Sequence, residues 1–323
     1  MGTRVLRLLG MRVLMGLATL IVVSMIIFFS VGLLPGDYAT EILGQSATPD
    51  IVSRFRHELG LDEPALQRYL AWLAGLFRGD LGRSYASHDG NARLVADIIG
   101  VRLANSFFLA GVTALVAVPL AVGLGILAAR FRGSWLDRIL NSTTLAAISC
   151  PEFFMAYLLM LLLSVHFNVF YSLATVGPGM DILARLQRIV LPVMTLTLII
   201  TAHMMRMTRT AVLDVLANPY IEMARCKGLS ESRILLTHAL PNAWAPIVNV
   251  VAFNLSYLVV GVVVVEVAFA YPGIGQTMID AVRTRDVPVI QACALIFAAT
   301  YIVVNLLADA IAIATNPKLM YAR

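Results

Sequence analysis

Between Val13 and Leu34 the chain carries no Asp, Glu, Lys or Arg. That run exceeds the ~18–20 apolar residues an α-helix needs to cross a bilayer. In hydrocarbon every backbone N–H and C=O must be satisfied within the segment, and a helix does this. Five further apolar stretches follow, near 103–129, 139–166, 189–205, 244–270 and 289–315. Across the 323 residues, 59% are hydrophobic and only 13% are charged, whereas a soluble domain is about one quarter charged. The expected fold class is an all-α polytopic membrane protein with six transmembrane helices.

Charge sets the expected orientation. Arg4, Arg7 and Arg12 precede the first run, and Arg130, Arg132 and Arg138 follow the second. Arg206, Arg209, Arg225 and Lys227 lie between the fourth and fifth, and Lys318 lies in the tail. Positively charged short loops stay in the cytoplasm, so both termini are expected there. The first run is expected to be a retained span, because it is long for a leader and no A-x-A-like site follows convincingly. The net charge of +5 sits mostly beside the spans and gives no reason to expect nucleic acid as a partner; membrane lipid is the expected surroundings. The expected divisions are 1–35 (N-terminal segment and first span), 36–102 (a small helical extracytoplasmic insertion) and 103–323 (a core with five spans). Inside the insertion, a helical pattern runs through Leu66, Tyr69, Leu70, Trp72 and Leu73.

One stretch breaks the apolar pattern in an ordered way. Asn218–Pro241 reads NPYIEMARCKGLSESRILLTHALP. Asn218 can cap a helix and Pro219 suits its first position. Glu222 near the start and Arg225 and Lys227 near the end match the helix dipole. Gly228 stands where a helix-ending glycine belongs. Ser230 can cap a second short helix, with Leu229 and Ile234 spaced as a hydrophobic staple, and Pro241 follows its last apolar residue. Two short helices at the cytoplasmic surface suggest a docking element.

No catalytic constellation is visible. His57, His88, His166, His203 and His238 form no HExxH motif or ligand pair, and Cys150, Cys226 and Cys293 have no metal or disulfide spacing. An acidic outer site of Asp37, Asp62 and Asp80 is conceivable, but these aspartates stand in Gly- and Pro-containing turns. No G-x-x-x-x-G-K-[ST] loop is present, so ATP chemistry, if it drives the process, belongs to a partner. Ionisable residues within the spans are functional candidates because they are costly in lipid. Glu152 beside the Pro151 interruption could line a translocation path or equally serve a structural pairing; Glu266 near the outer end of the fifth span is a second path candidate that reads first as a structural cap or local pair. Asp309 reads as a surface-proximal ion pair. Met204, Met205 and Met207 read as adaptable packing, and Gly111, Ala114, Ala117, Ala121 and Gly125 as small residues for close helix approach. A stand-alone secondary transporter using Glu152 is the competing class.

The 218–241 stretch resembles the EAA loop of ABC importer permeases, whose pattern is E-A-A, three residues, G, nine residues, I-x-L-P. Here Glu222-Met223-Ala224 is followed at those spacings by Gly228 and by His238-Ala239-Leu240-Pro241. Met223 and His238 are the departures, and the second is usual in the peptide-importer branch. Tyr220, Ile221, Ala224, Arg225, Lys227, Gly228 and Leu229 also match that branch. So do Leu34-Pro35-Gly36-Asp37, Leu59-Gly60-Leu61-Asp62, Gly79-Asp80-Leu81-Gly82-Arg83-Ser84, Arg206-Met207-Thr208-Arg209, Tyr271-Pro272-Gly273-Ile274-Gly275 and Asn316-Pro317-Lys318. The resemblance to the permeases of dipeptide, oligopeptide and nickel importers implies a type I importer permease fold in a bacterial inner membrane. It further implies a heterodimer with a second permease, two ABC ATPase subunits and an extracytoplasmic solute-binding protein. The chain would hold no cofactor and no metal and would not itself be an enzyme; ATP and magnesium would sit on the ATPases. Tyr220, Glu222, Ala224, Arg225, Lys227, Gly228, Leu240 and Pro241 would carry the coupling. The implied cargo is a peptide or peptide-like solute; nickel-chelator complexes, opines, glutathione and oligosaccharides are the alternatives.

Overall fold

The computed structural model describes residues 2–32, 48–58, 62–86, 93–177 and 179–315. The sequence features at 34–37, 59–61, His88 and 316–318 lie outside them. The described residues are helical, in the order α1 (Gly2–Gly32), α2 (Pro49–Glu58), α3 (Ala65–Phe77), α4 (Val95–Arg130), α5 (Trp135–Ser149), α6 (Glu152–His166), α7 (Ile182–Arg188), α8 (Val190–Leu216), α9 (Pro219–Cys226), α10 (Glu231–Ala268), α11 (Ile274–Arg283) and α12 (Val287–Thr315). Among the described residues, five helices are long and apolar enough to cross a membrane; α5 and α6, bent by 104° at their junction, make up to six. The bend falls at Pro151, whose missing N–H and fixed φ interrupt a helical ladder. The third apolar stretch is therefore two helices, Trp135–Ser149 and Glu152–His166, joined at a sharp bend.

Chain contacts divide the molecule into two compact units. One comprises Met1–Leu14, Phe107–Tyr271 and Tyr301–Arg323; the other comprises Met15–Ser106 and Pro272–Thr300. In the first, α8 is the central element and packs against α5, α6 and α10. Its residues Leu191, Leu196, Ile200 and Met204 are buried with Leu109, Ala117 and Ala121 of α4 and Val262 and Val265 of α10. The small residues of α4 have unequal roles. Ala117 and Ala121 are buried, whereas Gly111 has open space around it. At Gly125 a Cβ would lie 2.7 Å from Thr208 Cβ and 2.8 Å from the Met205 carbonyl oxygen. The absence of a side chain sets the approach of α4 to α8 there. Gly125→Val should therefore destabilise the protein by about 1–3 kcal/mol, the range for overpacking a core. Gly111→Ala should be close to neutral; thermal denaturation of both purified variants in detergent checks the contrast.

In the second unit, the helix expected around Tyr69 and Trp72 is α3. The Tyr69 hydroxyl and Ser24 Oγ of α1 are 2.9 Å apart, and Phe28 meets both Tyr69 and Trp72 ring to ring. The Gly79–Ser84 stretch is a pair of tight turns. Gly79 and Gly82 adopt φ of +80° and +83°, and Asp80 Oδ1 accepts the Gly82 N–H at 2.8 Å. Asp286 then secures the stretch, accepting from the Ser84 hydroxyl and from the Tyr85 N–H. Burial pushes the Tyr85 phenol up, and the Asp286 charge adds to it.

Among the described residues, four helices end alike. After α3, α9, α10 and α11, the residue beyond the cap is left-handed and the next N–H reaches back to the preceding helix: Asp80 to Gly75, Leu229 to Ala224, Tyr271 to Glu266 and Asp286 to Ala281. The left-handed residues are Gly79, Gly228, Ala270 and Arg285. This is the Schellman geometry, and the 218–241 stretch uses the residue that adopts it without steric cost.

Candidate coupling loop and mid-span polar cluster

The first helix of the 218–241 stretch forms as its residues dictate, with one change. Asn218 has the extended backbone of an N-cap, but its side chain makes no cap bond to α9. It donates instead to the Asp214 and Val215 carbonyl oxygens, at 3.1 and 3.0 Å, closing the end of α8. Pro219 occupies the start of α9 and Gly228 the turn, at φ +76°.

The second helix differs from expectation. It does not stop at Pro241. From Glu231 the chain stays helical through to Ala268, passing through a π-helical segment at Ile234–Ala239. A π turn shifts the hydrogen-bond pairing by one residue, and Pro241, which has no N–H to give, enters the following turn. The fifth span is thus one helical body with the second half of the stretch.

Burial divides the stretch into a base and an outer face. Ile221, Ala224, Ile234, Leu235, Ala239 and Leu240 are buried together with Val212 of α8 and Ala129 of α4, and Leu229 packs partly against them as the staple spacing requires. Ala224, at 8% exposure, and Leu240 therefore belong to the base; the small side chain of Ala224 lets α9 lie on α10. Tyr220, Glu222, Arg225, Lys227, Gly228 and Pro241 are exposed. So is Met223, at 61%. The sequence treats Met223 only as a departure from a pattern, yet it is an apolar side chain on the outer face. Arg225 closes the turn with a two-pronged pair to Glu231, at 2.8 and 3.3 Å. The Glu231 carboxylate pushes the Arg225 guanidinium up from its already high value. Such exposed pairs contribute about 0.2–1 kcal/mol. Beside it, Arg130, Arg132, Glu222, Arg225 and Glu231 line a notch of about 330 Å³.

A second brace was not legible in the sequence. Asp137 in the first turn of α5 is 4% exposed. Its carboxylate accepts from Arg209 Nε at 2.8 Å and Nη2 at 2.9 Å, from the Gly133 N–H at 2.9 Å and from Asn141 Nδ2 at 2.7 Å. Arg209 lies near the end of α8, ahead of α9. This saturated ion pair fixes the root of the stretch to α5.

The candidate path residues separate. Glu266 is fully buried in α10, where its carbonyl accepts the Tyr271 N–H at 2.8 Å. Glu152, first residue of α6, is half-buried; Tyr257 of α10 donates its hydroxyl to Oε1 at 2.9 Å. The His203 ring of α8 lies 5.8 Å from the Tyr257 ring. Asp309 pairs with Arg12, as a surface-proximal acid should.

Residues 121–321 match the model of the binding-protein-dependent transport system inner membrane component, and residues 5–103 match its N-terminal companion. The chain belongs to this family of ABC importer permeases. It is 36% identical over 311 residues to a putative peptide transport system permease protein of Brucella abortus, covering 96% of this chain and 98% of that one. It is also 36% identical over 315 residues to a glutathione transport system permease protein of Escherichia coli, covering 98% and 97%. The fold is shared with a chain of the MetNI methionine ABC transporter in an inward-facing conformation, at a TM-score of 0.57 and 17% identity over 68% of this chain and 96% of that one. The architecture is that of a type I importer permease, a multi-pass inner-membrane component of an ABC importer.

Proposed function

We propose that this permease forms, with a second homologous permease, the path for a short peptide or peptide-like solute delivered by an extracytoplasmic binding protein. Two ABC ATPases hydrolyse ATP with magnesium on the cytoplasmic side; this chain has no catalytic role and holds no cofactor. Both termini and the 218–241 stretch face the cytoplasm, residues 36–102 form the extracytoplasmic insertion, and 103–323 form the core. The observation that carries this reading is the construction of the coupling stretch. Its base is packed into the chain's own core, its outer face is left to a partner, and its second half is continuous with a span. Tyr220, Glu222, Met223 and Lys227 present that face, Ala224 and Leu240 hold it in place, and the Arg225 pair and Gly228 set its turn. A displacement of α9 by closing ATPases would be passed to α10 as a rigid body, which is how helix and domain movements switch a site between two states.

Peptide is the cargo supported by the Brucella relative. Glutathione, itself peptide-like, is the second reading, supported by an equal identity to the Escherichia coli relative. The test is reconstitution. The permease pair should co-purify with its ATPases, and loaded binding protein should stimulate ATP hydrolysis in proteoliposomes. Solute uptake by this chain alone, driven by an ion gradient, would overturn the reading in favour of a secondary transporter.

A further inference from the structure

Three polar side chains meet where the spans should be driest. His203 is the middle residue of α8, Val190–Leu216. Tyr257 lies within a turn of the middle of the Leu240–Ala268 segment. Glu152 sits at the break between the two helices of the third apolar stretch. All three belong to the same compact unit. None is fully buried there: Tyr257 is 40% exposed, and Glu152 and His203 are partly so. Ionisable groups at that position in a helix are costly against lipid and face a partner or a water-filled cavity. A cavity of about 610 Å³ meets the cluster at His203, and Arg206, Met207, Asp214 and Pro246 are among its other lining residues. Its volume is in the range of small-molecule sites.

The carboxylate has spare capacity. Glu152 Oε1 accepts the Tyr257 hydroxyl, while no donor among the described residues bonds Oε2. Oε2 lies where Gly261 offers no side chain, and a Cβ there would stand 3.5 Å away. Arg206 follows His203 by about one helical turn and lines the same cavity. The face thus offers an acid and a base at neighbouring depths. A purely structural carboxylate would have both oxygens satisfied, as Asp137 does. A sugar would need neither charge, whereas a short peptide carries both an amine and a carboxylate.

We propose that Glu152, held by the Tyr257 hydroxyl, is a mid-membrane station for the protonated amine of the transported solute, with Arg206 placed to receive its carboxylate. The inference rests on the peptide-importer reading above. It concerns a bound amine in transit, since a carboxylate and an ammonium form a charge-assisted hydrogen bond.

The test uses the complete complex with its binding protein in proteoliposomes. An equimolar mixture of short peptides, free and N-acetylated, is supplied, and accumulated peptides are quantified by mass spectrometry. With Glu152→Gln, accumulation of free-amine peptides should fall about tenfold, a change equivalent to one good polar interaction, while binding-protein-stimulated ATP hydrolysis persists. Glu152→Asp should restore part of the uptake. Unchanged accumulation in Glu152→Gln overturns the station. So does equal loss of uptake and ATP hydrolysis without rescue by aspartate, because that marks a structural carboxylate. A separate readout tests whether this face is wet at all. Met207→Cys, in a background lacking Cys150, Cys226 and Cys293, should react with a charged, membrane-impermeant thiol reagent in a conformation-dependent way. If it labels and Glu152→Gln is neutral, the station fails while the path stands. If it never labels, the station fails with the path. If the parent complex accumulates no peptide, the peptide reading itself fails and the station with it.

Discussion

Replacing Arg209 by methionine will destabilise the permease by about 3–5 kcal/mol, the cost of removing one partner from a buried ion pair. The magnitude follows from what remains. Asp137 is left at 4% exposure with its guanidinium partner and two of its four hydrogen bonds gone. The Gly133 N–H and the Asn141 amide do not replace a guanidinium. Asp137→Leu will cost less, because Arg209, at 22% side-chain exposure, can turn its charge toward water. The Arg209→Met/Asp137→Leu double variant will recover much of the loss, since no buried charge is then unpaired. Thermal unfolding of the four proteins in detergent, analysed as a double-mutant cycle, should give a coupling energy above about 1 kcal/mol. Additive effects would show that the pair does not brace α8 to α5. Because Arg209 stands at the root of the coupling stretch, loss of the pair should also weaken stimulated ATP hydrolysis at temperatures where the fold survives.

The second large effect is functional and should leave the fold standing. Gly228 adopts φ +76°, and a Cβ built on it meets no atom within 4 Å. Gly228→Ala will therefore cost about 1 kcal/mol, for the left-handed backbone alone. Gly228→Phe adds a bulky side chain to the turn that follows α9, beside the exposed face formed by Tyr220, Met223 and Lys227. In the reconstituted complex, binding-protein-stimulated ATP hydrolysis should fall about tenfold or more, equivalent to losing at least 1.4 kcal/mol of productive docking. Co-purification of the second permease and the melting temperature should stay close to those of Gly228→Ala. Stimulated turnover equal to the alanine variant would remove this turn from the coupling surface.

Much of the coupling stretch was legible because its signals are local. Pro219 at a helix start and Gly228 at its end each follow from the φ a single residue can adopt. The Leu229–Ile234 staple follows from spacing along one helix. Expectation failed at Pro241, where a proline ordinarily ends a helix but here follows a π-helical segment that changes the pairing ahead of it. Burial was less accessible to inspection. Ala224 matches a family pattern whether it faces a partner or its own core, and only the packing of Ile221, Ile234 and Leu235 around it places it inward. Met223 is the converse case, a mismatch in a pattern that turns out to be an exposed apolar side chain on the outer face.

The sequence by itself determined the class of molecule. Uncharged runs longer than a bilayer is thick admit few backbone solutions, and short basic loops beside them set the expected direction of each span. It also determined where the polar interruption lies and that its first half is a helix begun at Pro219 and ended by Gly228. Tertiary structure decided which distant residues meet. Asp137 and Arg209 are separated by 72 positions and Glu152 and Tyr257 by 105, and no periodicity along one helix encodes a partner on another. The same applies to the two candidate acids. Glu152 and Glu266 look alike as lone carboxylates in apolar runs, but packing encloses Glu266 completely and leaves Glu152 partly open. Enclosure depends on how neighbouring helices pack around each carboxylate, and that arrangement exists only in the folded chain.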